Sequence, residues 1–182
     1  MKNTSLPLKA FKRAPSLKLS KWYMGMLLTN LTETQDTNGA FAFFEATLVP
    51  GTEPPPHMHS REDELFYVLE GEFDVYVGEE VFNGKTGDCI FLPRFKPHAF
   101  IIRSPRLRLL ILFAPAGVEE AFRSVSSPAQ KFESPPRSAY LLGGRFGADS
   151  AAIQYEGCTD AGYGRSCATS QIGSSECRSA IQ

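Results

Sequence analysis

The residues best suited to chemistry in this chain are its three histidines together with Glu64. His57 and His59 stand two positions apart, and in an extended strand this spacing places both imidazoles on one face. Glu64 follows after four residues, enough for a tight turn, and would point to the same side from the start of the next strand. His98 opens a later strand from which its ring can reach the same interior point. Three imidazoles and one carboxylate are therefore predicted to converge, and they can share a metal.

Short β-strands must position these residues. Runs rich in Phe, Val, Ile, Leu and Tyr recur about every ten residues with Gly, Pro, Asn or Asp between them, and no long helical period is present. Such a pattern is typical of an antiparallel sandwich or barrel whose mouth is left for a ligand. Residues 83–87, which include Asn83-Gly84, are predicted as a turn. The predicted strands cover residues 23–31, 40–49, 64–69, 72–77, 88–92, 98–103 and 107–113.

Two sequence motifs carry a resemblance to the cupin superfamily. The first is Gly51, five residues, His57-Met58-His59, four residues, Glu64, six residues and Gly71; the second is Gly87, five residues, Pro93-Arg94-Phe95, two residues, His98, three residues and Ile102. The first motif is unbroken. In the second, Phe95 stands where the family has Gly and Ile102 where it has Asn. Both departures lie outside the ligand set, and they bear on the inter-strand turn and the pocket wall.

The resemblance implies a fold and a cofactor. The fold would be all-β, a cupin-type double-stranded β-helix or jelly-roll barrel. The cofactor would be one divalent transition metal bound by His57, His59, Glu64 and His98. Imidazole and carboxylate suit Fe, Mn, Ni, Cu, Co or Zn, with iron as the first expectation, and four protein ligands leave two positions of an octahedral ion open.

The resemblance to flavonol-cleaving dioxygenases implies a metal-dependent dioxygenase, an oxidoreductase that acts with dioxygen on a small phenolic, enolic or diketone-like substrate. Glu64 is the candidate catalytic base, provided that apolar surroundings raise its pKa. Two alternatives fit the same residues: a non-redox isomerase, cyclase or decarboxylase, and a cupin that binds a small molecule without turning it over.

Strand alternation predicts the walls of the substrate pocket. Counting in steps of two from Glu64 places Phe66 and Val68 inward, and counting from His98 places Phe100 and Ile102 inward. Inward aromatic side chains can also be simple barrel core. With this assignment the pocket would favour a flat, apolar substrate.

Length and composition bound the remaining properties. The chain has 182 residues, 42% of them hydrophobic, and a net charge of -1, so one folded domain is expected and no nucleic acid or anionic membrane is favoured as a partner. The predicted organisation is a flexible basic N-terminal arm (residues 1–22), a barrel domain (23–125), and a Pro/Ser connector with a largely disordered Gly/Ser/Ala-rich tail (126–182).

Compartment and assembly are predicted from the apolar runs, the cysteines and the sheet edges. No apolar run is long enough to span a membrane, and the cysteines at 158, 167 and 177 match no zinc template, so a cytoplasmic protein with reduced thiols is expected. One disulfide in the tail is the alternative. A homodimer is also predicted, because the strands before residue 40 would otherwise leave exposed sheet edges.

Overall fold

The computed structural model describes residues 7–135, and this part of the chain is built from antiparallel strands and one α-helix. The strands form a seven-stranded sheet in the order β10-β1-β2-β3-β9-β4-β7 and a three-stranded sheet in the order β6-β5-β8. The all-β prediction is confirmed. The elements are β1 (Ser20–Tyr23), β2 (Met26–Thr32), β3 (Ala42–Leu48), β4 (Asp63–Glu70), β5 (Glu72–Val77), β6 (Glu80–Lys85), β7 (Cys89–Leu92), β8 (His98–Ile102), β9 (Leu107–Ala114), α1 (Val118–Ser124) and β10 (Ser127–Pro128).

The core lies between the two sheets and follows the period-two alternation of the strands. Along β9 every second side chain is buried, from Leu107 to Phe113. On β4 the inward face carries Glu64, Phe66 and Val68. Glu64 is therefore placed among apolar side chains by the same alternation that builds the core.

The first predicted strand is a hairpin in the structure. β1 and β2 pair through Tyr23 and Met26, and the two residues between them, Met24 and Gly25, have φ angles of 48° and 87°. Positive φ at both central positions matches the twist of paired strands and makes a tight reversal. The turn is hard to recognise in the sequence, because it lies within an apolar run and Gly25 is the only turn-forming residue in it.

The prediction of a turn over residues 83–87 is wrong in its first half. Asn83 and Gly84 lie inside β6, where they pair with Asp74 and Phe73 of β5. A Cβ at Gly84 would stand 2.5 Å from a ring carbon of Phe73 and 2.7 Å from the side chain of Ile90. Glycine is therefore present here for close packing against the core rather than for chain reversal.

Both ends of the described chain pack on the barrel. Arg13, within the predicted arm, forms an ion pair of 2.6 Å with Asp36, and β1 begins at Ser20. The start of the predicted connector forms β10, which pairs with β1. The edge of β1 is thus covered in part by the chain itself, and the homodimer stays a prediction.

The other segment predictions concern residues 1–6 and 136–182, which include the tail and its three cysteines and lie outside the described residues. Within residues 7–135, none of the helices combines the length and apolar character needed to cross a membrane.

Candidate metal centre

Two backbone contacts bring the histidines together. His57, in the segment before β4, forms an antiparallel bridge with His98 at the start of β8; each backbone N–H donates to the carbonyl of the other at 3.0 and 2.8 Å. The carbonyl of His59 accepts a hydrogen bond of 2.8 Å from the N–H of Phe95. The loop before β4 is therefore tied to the β7–β8 turn, and the two sequence motifs meet in space.

The four predicted ligands form one cluster, called here the His/Glu cluster: His57, His59, Glu64 and His98. One ligand atom from each residue can be chosen so that all of them lie within 4.8 Å of one another. Glu64 Oε2 lies 3.4 Å from His59 Nε2 and 3.2 Å from His98 Nε2. The predicted convergence is present in the structure.

Hydrogen bonds orient two of the imidazoles. The Nδ1 atom of His57 lies 2.9 Å from the carbonyl oxygen of Pro55, and that of His98 lies 3.1 Å from the carbonyl oxygen of Lys96. Because a carbonyl only accepts, Nδ1 carries the proton in both rings, and Nε2 presents its lone pair to the cluster. This is the tautomer in which an imidazole binds a metal through Nε2.

The donor set fits a metal ion. Within residues 7–135, the buried atoms His59 Nε2, Glu64 Oε2 and His98 Nε2 have no hydrogen-bond partner. Buried polar atoms without partners are costly, and a cation at the centre of the cluster would satisfy all three. Neutral imidazoles and one carboxylate are suitable ligands for a divalent transition metal.

Burial and charge set the protonation of the cluster. Burial favours the neutral acid at Glu64, but the imidazoles of His59 and His98 outweigh it and lower the pKa of Glu64 to about 2. The condition set for Glu64 as a base, a pKa raised by apolar surroundings, is therefore not met. Burial and the neighbouring His98 lower the pKa of His57 to about 4. Burial also acts to lower the pKa of His98, but Glu64 reverses this effect and the pKa is raised.

An apolar cavity opens from the cluster into the barrel. Its empty space is about 600 Å³ with the open solvent at its mouth included, and it is lined by Phe66 and Phe100, two of the residues predicted for the substrate pocket. Val68 and Ile102, predicted beside them, do not line it; both lie in the buried core. Alternation places them inward, but the cavity extends toward β1, β2, β9 and α1 instead.

Several cavity walls were missed at the sequence level. Ile111 and Phe113 on β9 line the cavity, and the alternation of that strand was a usable signal for them. Tyr23 and Phe122 come from the β1–β2 hairpin and from α1, and they had no comparable signal because their positions depend on how distant segments pack.

Phe95, one of the two motif departures, has a backbone conformation that favours glycine. Its φ is 63°, in the left-handed region, and its side chain is 62% exposed. The left-handed conformation costs a bulky residue about 1–2 kcal/mol of conformational energy. The turn thus forms at a cost, and in it the N–H of Phe95 donates to the carbonyl of His59.

Replacing Phe95 with glycine is expected to stabilise the protein by about 0.5–1 kcal/mol, because relief of the left-handed strain exceeds the added entropy of the unfolded chain. Urea unfolding of Phe95→Gly beside Lys96→Gly measures this difference. Lys96 does not have a positive φ, so its glycine variant should lose stability. Equal losses in both variants would contradict the assignment of strain to Phe95.

Known proteins share this domain. Residues 44–115 match the family model of the cupin domain. The chain is 26% identical over 113 residues to quercetin 2,3-dioxygenase of Bacillus subtilis (strain 168), which covers 60% of this chain and 34% of that protein. It is 30% identical over 86 residues to an uncharacterized protein of Aquifex aeolicus (strain VF5), covering 47% and 66%. The chain thus spans about a third of the dioxygenase and just under two thirds of the second relative.

A solved structure has the same fold. The structure of Streptomyces PAC13 with uridine aligns with a TM-score of 0.50 at 18% identity, covering 61% of this chain and 88% of that one. Together, the two motifs, the antiparallel barrel, the His/Glu cluster and the match over residues 44–115 identify a cupin domain in this chain.

Proposed function

We propose that this protein is a metal-dependent dioxygenase that acts on a small phenolic, enolic or diketone-like compound. The observation that carries the proposal is the position of the His/Glu cluster at an apolar cavity: His57, His59 and Glu64 are themselves part of the cavity wall. A ligand in the cavity would meet the metal ligands directly.

The four residues of the cluster would hold one divalent transition metal, with iron as the first candidate. Such an ion supplies Lewis acidity, which lowers the pKa of a substrate hydroxyl, and open coordination positions. The chain supplies fixed ligands, since the carbonyl contacts at His57 and His98 hold their rings in one orientation.

Glu64 is the group that would take the substrate proton. Its Oε2 atom is buried and has no hydrogen-bond partner within the described residues, and its low pKa keeps it ionised at neutral pH. A carboxylate with so low a pKa is a weak base, and its pKa would fall further beside a bound cation. Glu64 would therefore take the substrate proton with its carboxylate released from the metal.

The cavity walls would select the substrate. Phe66, Phe100 and Phe113 line the cavity with aromatic side chains, which would favour a flat apolar molecule and exclude water. The relationship to quercetin 2,3-dioxygenase supports oxygen chemistry. The chain covers only a third of that protein, so the activity and the substrate class are our proposal.

The proposal predicts oxygen consumption. Protein stripped with a chelator and reloaded with Fe, Mn, Ni, Co, Cu or Zn is assayed on an oxygen electrode with a panel of phenols, enols and β-diketones. We expect at least one pair of metal and substrate to consume oxygen. We also expect Glu64→Gln to retain metal while the rate falls about 100-fold or more, since general bases contribute about 10²–10⁴-fold.

Three outcomes separate the possibilities. Oxygen uptake that depends on Glu64 supports the dioxygenase. Substrate conversion that persists without oxygen, with zinc bound, would indicate the non-redox enzyme instead. Ligand binding without conversion under any metal would indicate a binding protein.

A further inference from the structure

Phe122 stands between two pockets. It lines the cavity at the His/Glu cluster and also a second, shallow pocket of about 220 Å³ including open solvent, and Leu28 is the other residue common to both. The second pocket is polar, with Lys21, Asn30 and Arg123 in its wall. The Phe122 ring is therefore part of the partition between an apolar interior and a polar surface depression.

The ring of Phe122 is packed into the aromatic wall of the cavity. Its centroid lies 4.8 Å from Tyr23, 5.7 Å from Phe44 and 5.8 Å from Phe113. Phe113 in turn lies 5.3 Å from His59, a member of the His/Glu cluster. Phe122 is thus two ring contacts away from a predicted metal ligand.

Helix α1 is anchored in a way that fixes this ring. The buried carboxylate of Glu119 accepts hydrogen bonds from the backbone and the hydroxyl of Thr34 and, at 2.9 Å, from the N–H of Gly117. One helical turn after Glu119, the guanidinium of Arg123 forms an ion pair of 3.4 Å with Glu33. Both contacts tie α1 to the segment after β2, so the position of Phe122 is set from outside the cavity.

We infer that Phe122 sets the length limit of the ligand, which is an aromatic compound with its oxygen atoms at the His/Glu cluster and an apolar substituent directed toward α1. This inference rests on the proposed function for the orientation of the ligand. Away from the cluster the cavity presents aliphatic and aromatic side chains such as Met26, Leu109 and Ile111. A ligand therefore gains from apolar atoms up to the Phe122 ring and meets a barrier there.

A series of 4-alkylphenols with increasing chain length tests the limit. Binding is measured by calorimetry to the metal-free and the zinc-loaded protein. For the wild type, we expect affinity to rise by about fourfold per methylene, as burial of each CH₂ predicts. It should then fall at least tenfold once the chain reaches Phe122.

Variants at Phe122 should move this limit in both directions. Phe122→Ala removes the ring from the partition and should admit chains at least two methylenes longer, whereas Phe122→Trp should exclude chains that the wild type accepts. Phe91→Ala is the control, because Phe91 is an exposed aromatic residue on β7 that does not line the cavity. Phe122→Trp and Phe122→Leu carry the test if the alanine variant fails to fold.

The outcomes are distinct from those of the proposed function. An unchanged limit in every Phe122 variant overturns the inference, and so does the absence of alkylphenol binding to the wild type. A limit that moves while no oxygen is consumed supports the role of Phe122 and contradicts the dioxygenase. Oxygen consumption together with a length limit that no Phe122 variant changes supports the dioxygenase and contradicts the role of Phe122.

Discussion

Replacing His98 with alanine is expected to lower the affinity for a divalent metal by more than about 100-fold, since removal of even an outer hydrogen-bond partner of a metal ligand costs about 10–100-fold. His98 is 4% exposed, and its Nε2 atom lies 3.2 Å from Glu64 Oε2. The substitution removes one donor from a set of four. It leaves in place the backbone bridge to His57, which does not involve the ring.

Metal analysis after gel filtration, together with a competition titration of Zn²⁺ against a chromogenic chelator, measures this loss. Lys96→Ala is the matched control. Lys96 lies in the same turn and its carbonyl receives the hydrogen bond from His98, but alanine keeps that carbonyl. Full metal occupancy with unchanged affinity in His98→Ala would show that the cluster does not hold the ion through this residue.

The His/Glu cluster was accessible from sequence because residue type and spacing are local properties, although His57 and His59 lie in the segment before β4 and not in a strand. His57 and His59 share a face at a separation of two, and the motif fixes the intervals to Glu64 and His98. The spacing does not determine the protonation of the cluster. The pKa of Glu64 depends on the approach of His59 and His98 from other segments, and their effect outweighs the burial on which the prediction relied.

The cavity walls likewise include residues that the sequence predicts and residues that it does not. Phe66 and Phe100 follow from alternation along their own strands, and the structure places both at the cavity. Val68 obeys the same alternation but lies too deep in the core to reach it. Phe122 and the hairpin at Met24 depend on where a short helix and a two-residue turn pack, and no periodic pattern encodes such packing.

Gly71, the last residue of the first motif, has two separate reasons to be glycine. Its φ is 98°, and a Cβ would stand 2.3 Å from the carbonyl oxygen of Arg106 and 2.5 Å from Ser104 Oγ. The Arg106 carbonyl directly precedes Leu107, which is held in register with Leu48. This backbone cannot move aside without disturbing the pairing of β3 with β9.

Gly71→Ala is therefore expected to destabilise the protein by about 3 kcal/mol or more, which combines the left-handed strain with a backbone clash. Gly87, the first residue of the second motif, is the matched control: its φ is 96°, and a Cβ there would meet nothing within 4 Å. Gly87→Ala should lose only about 1–2 kcal/mol, the cost of the backbone conformation alone. Urea unfolding of both metal-free variants measures the difference, and failure of Gly71→Ala alone to yield folded protein is the same result in stronger form. Equal losses of stability would mean that the backbone at Arg106 shifts to accommodate the added methyl group. The positive φ shared by the two glycines would then account for the whole loss in both variants.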